Sequence, residues 1–114
     1  MKSNVKVIPF SKNEKREYEK GLEFIWDSQK EQANYLKHGI WFSEAKFVFF
    51  DENRIEVYDH VHSLSEDRYI VIGFVRNVLT IVYTERRSDI RIISARKASK
   101  EEEELYYDYT WSIT

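Results

Sequence analysis

Arginine, lysine, histidine and tyrosine are the residue types of this chain that are best suited to chemistry. Cleaving RNA without a metal requires that the 2′-hydroxyl lose a proton, that charge on the phosphate oxygens be stabilised, and that the leaving oxygen be protonated. Arginine suits the second task because its planar guanidinium donates paired hydrogen bonds to phosphate and stays charged. Lys37, His38 and several tyrosines are candidates for the proton transfers. The residue types therefore favour metal-free phosphodiester cleavage.

A metal site is one alternative, and Asp59, His60 and His62 form the most metal-like cluster. A His-x-His pair in a strand places both imidazoles on one face. Beyond His38, however, no third nitrogen or sulfur ligand is near, and loops commonly hold such residues for solubility. We expect no metal and no other cofactor, and we rank a metal-dependent nuclease using Asp59 and His62 last.

Composition excludes several other classes of function. The chain has no Cys, which excludes disulfides, thiolate zinc sites and cysteine nucleophiles and favours the cytoplasm. It has three Gly and neither a Gly-rich phosphate loop nor a G-x-S-x-G elbow. No apolar run approaches the roughly 20 residues that span a bilayer, so we expect no membrane association. With 114 residues, the chain is long enough for one compact domain.

Charge is distributed unevenly along the chain, although it sums to only −2. Residues 68–100 hold eight basic and two acidic residues, net +6, whereas residues 22–67 are net −6. The first 21 residues are net +3 and the last fourteen are net −5. The basic segment is typical of a phosphate-binding surface, and equally of solvated charges on strands and turns.

Two helices are predicted in the first half of the chain. Ser28 and Glu31 have capping-box spacing and Gly39 suits the left-handed position that ends a helix, which predicts a helix over residues 28–38. Ser43 is a candidate cap for a second, short helix of mostly buried aromatic residues. Both helices are expected to cover the core.

Short apolar runs separated by polar turns predict strands. They lie at residues 22–27, 55–58, 69–75, 78–84 and 90–96. The short connections at residues 76–77 and 86–89 predict that the last three strands form an antiparallel meander.

A closing helix is predicted at about residues 99–108, where Ser99 and Glu102 repeat the capping-box spacing. The order of strand, two helices, several strands and a final helix predicts an α+β fold. We expect an antiparallel sheet of about four strands, with two N-terminal helices and a C-terminal helix packed on it.

Ordered motifs extend from Phe24 to Tyr107. They are Phe24-Ile25-Trp26-Asp27, Asn34, Lys37-His38-Gly39, Phe42-Ser43-Glu44-Ala45, Asp59 with His62-Ser63, Glu66-Asp67-Arg68-Tyr69, Val82-Tyr83-Thr84 and Ile90-Arg91-Ile92-Ile93-Ser94-Ala95-Arg96-Lys97-Ala98 before a Glu-rich helix. In order and spacing they resemble the BrnT family of type II toxins, which have a RelE-like fold. The resemblance divides the chain into an extension (residues 1–21), partly ordered at residues 5–10, a toxin domain (22–108) and a tail (109–114).

This resemblance implies an endoribonuclease that acts on RNA and blocks translation. A BrnA-like antitoxin would neutralise it, in a complex of two toxins and two antitoxins, and would alone contact operator DNA. The alternative is a degenerate, non-catalytic toxin that serves as antitoxin partner and co-repressor.

The resemblance also assigns roles to seven residues. The catalytic residues would be Arg68, Arg91, Arg96, Lys37 and His38, and the substrate-binding residues Lys97 and Tyr83. The arginines and Lys97 would bind phosphate, Lys37 and His38 would transfer protons, and Tyr83 would assist. Each arginine taken alone is more typical of an exposed strand residue paired with a carboxylate, and the two residues at the end of the first helix also complement its dipole.

Regular alternation over residues 90–96 raises a difficulty for this site. Arg91 and Arg96 would then lie on opposite faces of the sheet. They can share a site only if a bulge or a twist interrupts the strand.

Overall fold

A six-stranded mixed sheet organises the chain in a computed structural model that describes residues 13–112, with side chains to residue 108. Its strands are β1 (Glu14–Glu19), β2 (Leu22–Asp27), β3 (Ile55–Tyr58), β4 (Tyr69–Val75), β5 (Asn77–Arg86) and β6 (Asp89–Lys97). The helices are α1 (Ser28–His38), α2 (Phe42–Ala45), a 3₁₀ helix (Lys46–Phe50) and α3 (Lys100–Ser112). The α+β class is confirmed.

The expected antiparallel sheet of about four strands is wrong in number and direction. The strand order is β1-β2-β6-β5-β4-β3, and β2 pairs with β6 in parallel while the other neighbours are antiparallel. The β2–β6 pairing joins segments more than 60 residues apart, so no local pattern encodes it. β1 is polar and pairs along the whole of β2 through its backbone, which requires no apolar run.

β1 lies inside the predicted N-terminal extension and closes one edge of the sheet. Lys20 and Gly21, both at positive φ, form its two-residue connection to β2. Residues 5–10, expected to be partly ordered, lie outside the described part of the chain. The division at residues 22 and 108 stays a prediction.

The antiparallel meander β4-β5-β6 is confirmed, and both of its connections are tight. Arg76, at φ 65°, is the single residue between β4 and β5, and Arg87, at φ 55°, lies between β5 and β6. Left-handed backbone at these positions reverses the chain in little space.

Apolar side chains pack on both faces of the sheet. The larger cluster includes Phe24 and Trp26 of β2, Ile81 of β5 and residues of α2 and the 3₁₀ helix. A smaller cluster joins Val78 of β5 to Tyr106 of α3. Since side chains alternate along β5, these clusters lie on opposite faces. α3 therefore covers the face opposite the main core.

α1 has the predicted bounds, but its N-terminal cap is Asp27 and not Ser28. The Asp27 carboxylate accepts from the backbone N–H groups of Gln29 and Lys30 at 2.8 and 3.1 Å. Glu31 is buried instead and accepts from Trp26 Nε1 and from the backbone N–H of Ser43. Glu31 thus joins the helix to β2 and α2 instead of completing a capping box.

The second helix begins at Phe42 with Trp41 as its N-cap residue, so Ser43 is not its cap. It is one α turn followed by the 3₁₀ helix, because its aromatic side chains must fit against the sheet within a short segment. The Ser99–Glu102 capping box of α3 is confirmed. Glu102 N–H donates to Ser99 Oγ at 3.1 Å, and Ser99 N–H donates to Glu102 Oε1 at 2.8 Å.

Candidate active site

A β-bulge in β6 resolves the conflict between Arg91 and Arg96. Tyr83 pairs with Ile92 and Val82 pairs with Ser94, which leaves Ile93 as the extra residue. Ile92 and Ala95 therefore both face the main core, and Arg91 and Arg96 both face the other side. The signal lies in the sequence, since the apolar alternation of Ile90 and Ile92 resumes one residue late, at Ala95.

Four arginines share this side of the sheet, which we call the arginine face: Arg68, Arg86, Arg91 and Arg96. Two adjoining clefts lie on it, and both are lined by Arg68 and Ile93. The Arg91 cleft, of about 370 Å³, is also lined by Glu14, Lys30, Glu66, Arg86 and Arg91. The Arg96 cleft, of about 230 Å³, is also lined by Asp59, His62, Ser94 and Arg96. The predicted arginines thus belong to one continuous surface.

A hydrogen-bonded carboxylate–imidazole pair lines the Arg96 cleft. His62 Nδ1 lies 2.9 Å from Asp59 Oδ2, and the His62 backbone N–H donates to Asp59 Oδ1 at 3.3 Å. The Asp59 side chain is only 9% exposed, whereas that of His62 is 66% exposed. Because Asp59 engages Nδ1, the ring is oriented and Nε2 is left for another partner.

The hydrogen bonds from His62 favour the ionised form of the Asp59 carboxyl group. Desolvation raises the pKa of a carboxyl, but the hydrogen bonds from His62 outweigh it and hold the pKa of Asp59 below its usual range. From the sequence, metal binding is the only chemical role assigned to these two residues, although both also belong to the motifs that resemble the family. The Asp-x-x-His spacing in a turn, next to Arg68, is the signal that could have identified the pair.

Backbone and hydroxyl contacts fix the loop that carries His62 against the start of β4. Asp59 N–H donates to the Arg68 carbonyl at 2.9 Å, and Arg68 N–H donates to Ser63 Oγ at 2.9 Å. Ser63 Oγ donates to the Asp59 carbonyl at 2.6 Å. These bonds hold His62 and Arg68 on the same side of one short loop.

Arg96 is bound by a carboxylate of α3. Its Nη1 and Nη2 donate to the two oxygens of Glu102 at 2.7 and 2.9 Å. Glu102 also accepts from Thr80 Oγ1 at 2.8 Å. The guanidinium, with the Ser99 backbone and Thr80, overcomes desolvation and lowers the pKa of Glu102 to about 2. Arg96 therefore joins α3 to the sheet in addition to lining the cleft.

Carboxylates also form ion pairs with the arginines of the Arg91 cleft. Glu14 Oε1 lies 3.2 Å from Arg91 Nη2, and Glu66 Oε2 lies 2.8 Å from Arg86 Nε. Hydrogen bonding to Arg86, with smaller contributions from Arg91 and Arg68, lowers the pKa of Glu66. Together, Arg68, Arg86 and Arg91 contribute positive electrostatic potential to this cleft.

The remaining predicted site residues lie elsewhere. Lys37 and His38 end α1, and Lys97 lines a separate cleft with Gly39 and Ile40. None of the three lines either cleft of the arginine face. Their roles stay predictions, without support from proximity to the arginines.

Tyr83 is part of the main core, with 1% of its surface exposed. Its hydroxyl donates to Glu56 Oε1 at 3.1 Å, and its ring packs against Phe49 and Tyr69. Burial, followed by the nearby Glu56 charge, raises the pKa of Tyr83 above its usual value. The hydroxyl keeps its proton, and its role in substrate binding stays a prediction.

Residues 13–112 include no group of three or more His, Asp or Glu side chains positioned to hold a metal ion. In the same part of the chain, no helix is long and apolar enough to cross a membrane.

Comparisons with known proteins found a family match and a similar fold. Residues 26–102 match the family model described as the ribonuclease toxin BrnT of type II toxin-antitoxin systems. The fold is similar to the crystal structure of the ribonuclease toxin BrnT from Brucella abortus, with a TM-score of 0.52 and 24% sequence identity over 66% of this chain and 94% of that one. No curated protein sequence matches the chain. The family match covers both clefts except for Glu14.

Proposed function

Because the chain belongs to the BrnT family of ribonuclease toxins of type II toxin-antitoxin systems, we propose that it cleaves RNA in the Arg96 cleft without a metal. The observation that carries this proposal is the Asp59–His62 pair beside Arg68 and Arg96. It combines a proton-transfer group and two phosphate-binding groups in one cleft. We propose that the fold is RelE-like and that the protein acts in the cytoplasm.

In this mechanism, Arg68 and Arg96 bind the scissile phosphate and stabilise the charge that grows on its oxygens. The 2′-oxygen attacks phosphorus and the bond from phosphorus to the 5′-oxygen breaks; His62 Nε2 takes the proton of the 2′-hydroxyl, and water protonates the leaving 5′-oxygen. Asp59 orients the ring and stabilises its protonated form. Arg91 contributes positive field from the adjoining cleft. Proton transfer by a positioned group contributes about 10² to 10⁴ in rate, and the arginines add to it.

The proposal is tested with purified protein, total RNA and EDTA. We expect RNA fragments from the wild type. His62→Gln should cleave RNA about 10² to 10⁴ times more slowly than the wild type, because it lacks the proton-transfer group. His60→Gln is the matched control, because His60 is an exposed histidine of the same loop that packs on Tyr58. Intact RNA over a range of pH and salt, or equal losses in both variants, would refute the proposal.

We further propose that the partner is a BrnA-like antitoxin, in a complex of two copies of each chain, and that operator DNA is bound only by the antitoxin. The family match supports an antitoxin partner in general. Size-exclusion chromatography with light scattering on the co-expressed pair tests the stoichiometry. A complex of another composition would overturn that part of the proposal.

The second candidate function is a degenerate, non-catalytic toxin that serves as antitoxin partner and co-repressor. It is favoured by the ion pairs that already occupy Arg86, Arg91 and Arg96. Expression without antitoxin distinguishes the two functions. Growth arrest that His62→Gln abolishes supports catalysis, whereas an inert wild type that still represses with its antitoxin supports the co-repressor.

A further inference from the structure

We propose that the Arg91 cleft binds the RNA phosphate adjacent to the cleaved one, and that Glu14 of β1 occupies this subsite in the free protein as an internal competitor. The inference rests on the proposed cleavage of RNA in the Arg96 cleft. It adds a second phosphate subsite, assigns Arg86 to it, and gives a function to a strand that precedes the matched family region.

The position of the cleft is the first argument. It adjoins the Arg96 cleft and shares Arg68 and Ile93 with it, so a strand of RNA leaving one cleft enters the other. Its cations are Lys30, Arg68, Arg86 and Arg91, against the carboxylates Glu14 and Glu66. This excess of positive charge favours the binding of an anion such as a phosphodiester, which carries one negative charge.

Unsatisfied polar atoms are the second argument. Arg91 Nε is buried and has no hydrogen-bond partner among the described residues, although Arg91 Nη2 contacts Glu14. Thr84, which is paired with Arg91 in the sheet, has a buried Oγ1 that is likewise unsatisfied in the described part of the chain. Unpaired buried polar groups are costly. A phosphodiester has two anionic oxygens, as a carboxylate does, and two ester oxygens that can accept weaker hydrogen bonds.

The position of Glu14 is the third argument. β1 is separated from β6 by β2, and the Glu14 side chain, 9% exposed, lies between Arg91 and Arg16, with an oxygen 3.2 Å from each. A carboxylate and a phosphate oxygen make the same kind of charge-assisted hydrogen bond to a guanidinium. Phosphate can therefore replace Glu14 while Arg91 keeps an anionic partner.

The second subsite is tested by comparing two oligonucleotides that differ in their number of phosphates. Both carry 2′-O-methyl groups, which prevent cleavage, and neither has a terminal phosphate. A dinucleotide has one phosphate and a trinucleotide has two. In NMR titrations we expect Arg86→Gln to weaken trinucleotide binding about five- to tenfold, since it removes a charge-assisted hydrogen bond to phosphate that solvent partly screens. Dinucleotide binding at the Arg96 cleft should not change.

Arg87→Gln is the matched control, because Arg87 is an exposed neighbour in the β5–β6 connection and lines neither cleft of the arginine face. Equal weakening of both ligands by Arg86→Gln, or no weakening of either, would overturn the second subsite.

The role of Glu14 is tested with Glu14→Gln, which keeps the side-chain shape and removes the charge. We expect trinucleotide binding to tighten several-fold. Glu17→Gln should leave it unchanged, since Glu17 lies on the other face of β1 and contacts Lys46. Thermal denaturation of each variant verifies folding. Unchanged or weaker trinucleotide binding by a folded Glu14→Gln protein would exclude competition by Glu14.

The two proposals can fail separately. If the wild type leaves RNA intact but Arg86→Gln still affects only the trinucleotide, the cleavage proposal fails and the subsite remains. If the wild type cleaves RNA and Arg86→Gln does not distinguish the ligands, the subsite fails and the cleavage proposal remains.

Discussion

At the scale of single residues, the Asp59–His62 pair is the feature that changes the interpretation of the chain. Lys37 and His38 have side chains suited to proton transfer, but they end a helix away from the arginine clefts. His62 has the same chemistry, an oriented ring and two arginines in its cleft. Geometry, and not residue type, separates these candidates.

Asp59→Asn tests whether Asp59 acts through His62. An amide cannot stabilise a protonated imidazole as a carboxylate does, so the rate of RNA cleavage should fall and the pH–rate profile should change. The pH–rate profile of the variant against wild type is the measurement. A lower rate with an unchanged profile would indicate that Asp59 only stabilises the loop.

Close packing around Gly73 leaves no room for a side chain at this position. A Cβ added there would lie 2.7 Å from Val48 Cγ1 and 3.3 Å from an oxygen of Asp51. We expect Gly73→Ala to lower the free energy of unfolding by about 1–3 kcal/mol, the usual cost of overpacking a core. Urea denaturation measures it. In the background of Val48→Ala, which removes the contacted methyl groups, the added cost should shrink, and an additive double mutant would contradict this explanation.

At the scale of elements, two helices are each joined to the sheet by one polar side chain. Asn34 of α1 donates to the carbonyls of Ala95 and Ile40 and accepts from the Ala95 N–H, all at 2.8–3.1 Å. The amide thus pairs with β6 as a neighbouring strand would. Glu102 of α3 contacts Arg96 and Thr80 on the other face. Each helix is positioned by specific polar contacts as well as by apolar area.

Asn34→Ala should therefore be costly. It leaves buried backbone groups of β6 without their partner, and each unsatisfied group costs about 1–3 kcal/mol. We expect a loss of about 2–4 kcal/mol in the free energy of unfolding, measured by urea denaturation. Gln32→Ala, at an exposed position of the same helix, is the control. A loss below 1 kcal/mol would show that water replaces the amide.

The contact between Glu102 of α3 and Arg96 predicts that the stability of the protein depends on pH in the acid range. The pKa of Glu102 is about 2 in the folded protein, against an ordinary value of 4.5. Its stabilising contribution is therefore complete above about pH 4.5 and is lost as the pH falls toward 2. For this partly solvent-screened pair we expect about 1 kcal/mol.

Urea denaturation of wild type and Glu102→Gln at pH 6 and pH 3 measures the contribution. The difference in stability between the two proteins should shrink at pH 3. Glu103→Gln, an exposed neighbour in α3, should follow the wild type at both values. A constant difference for Glu102→Gln would show that its charge does not carry the effect.

At the scale of the whole molecule, the net charge of −2 conceals a strongly divided surface. The sheet gathers Arg68, Arg86, Arg91 and Arg96 onto one face, although they are spread over almost thirty residues of sequence. The local field at a cleft, and not the sum over the protein, governs the binding of an anion. A slightly acidic protein can therefore present a local surface suited to an anion.

Salt dependence tests this conclusion. Two phosphate contacts to a single strand give a slope of about −1.4 in a plot of log K against log salt, since each contact contributes about −0.7. Arg86→Gln should reduce the slope by about 0.7 if it removes one contact. Titrations of the 2′-O-methyl trinucleotide at several KCl concentrations provide the values. A slope near zero would exclude phosphate contacts as the source of affinity.

The sequence by itself determined the family, the α+β class, the bounds of α1, the meander and the Ser99–Glu102 capping box. Each of these depends on residues a few positions apart or on ordered motifs, so each is visible without coordinates. The family match and the Brucella fold similarity confirm the resemblance.

Only the tertiary structure decided which residues share a site. The parallel β2–β6 pairing, the contact of Glu14 with Arg91 and the proximity of His62 to Arg96 join segments that are distant in sequence. The bulge at Ile93 shifts the following residues to the other face, which reverses the conclusion drawn from regular alternation. Local patterns fix helices and strands, whereas long-range pairing and register fix which side chains meet.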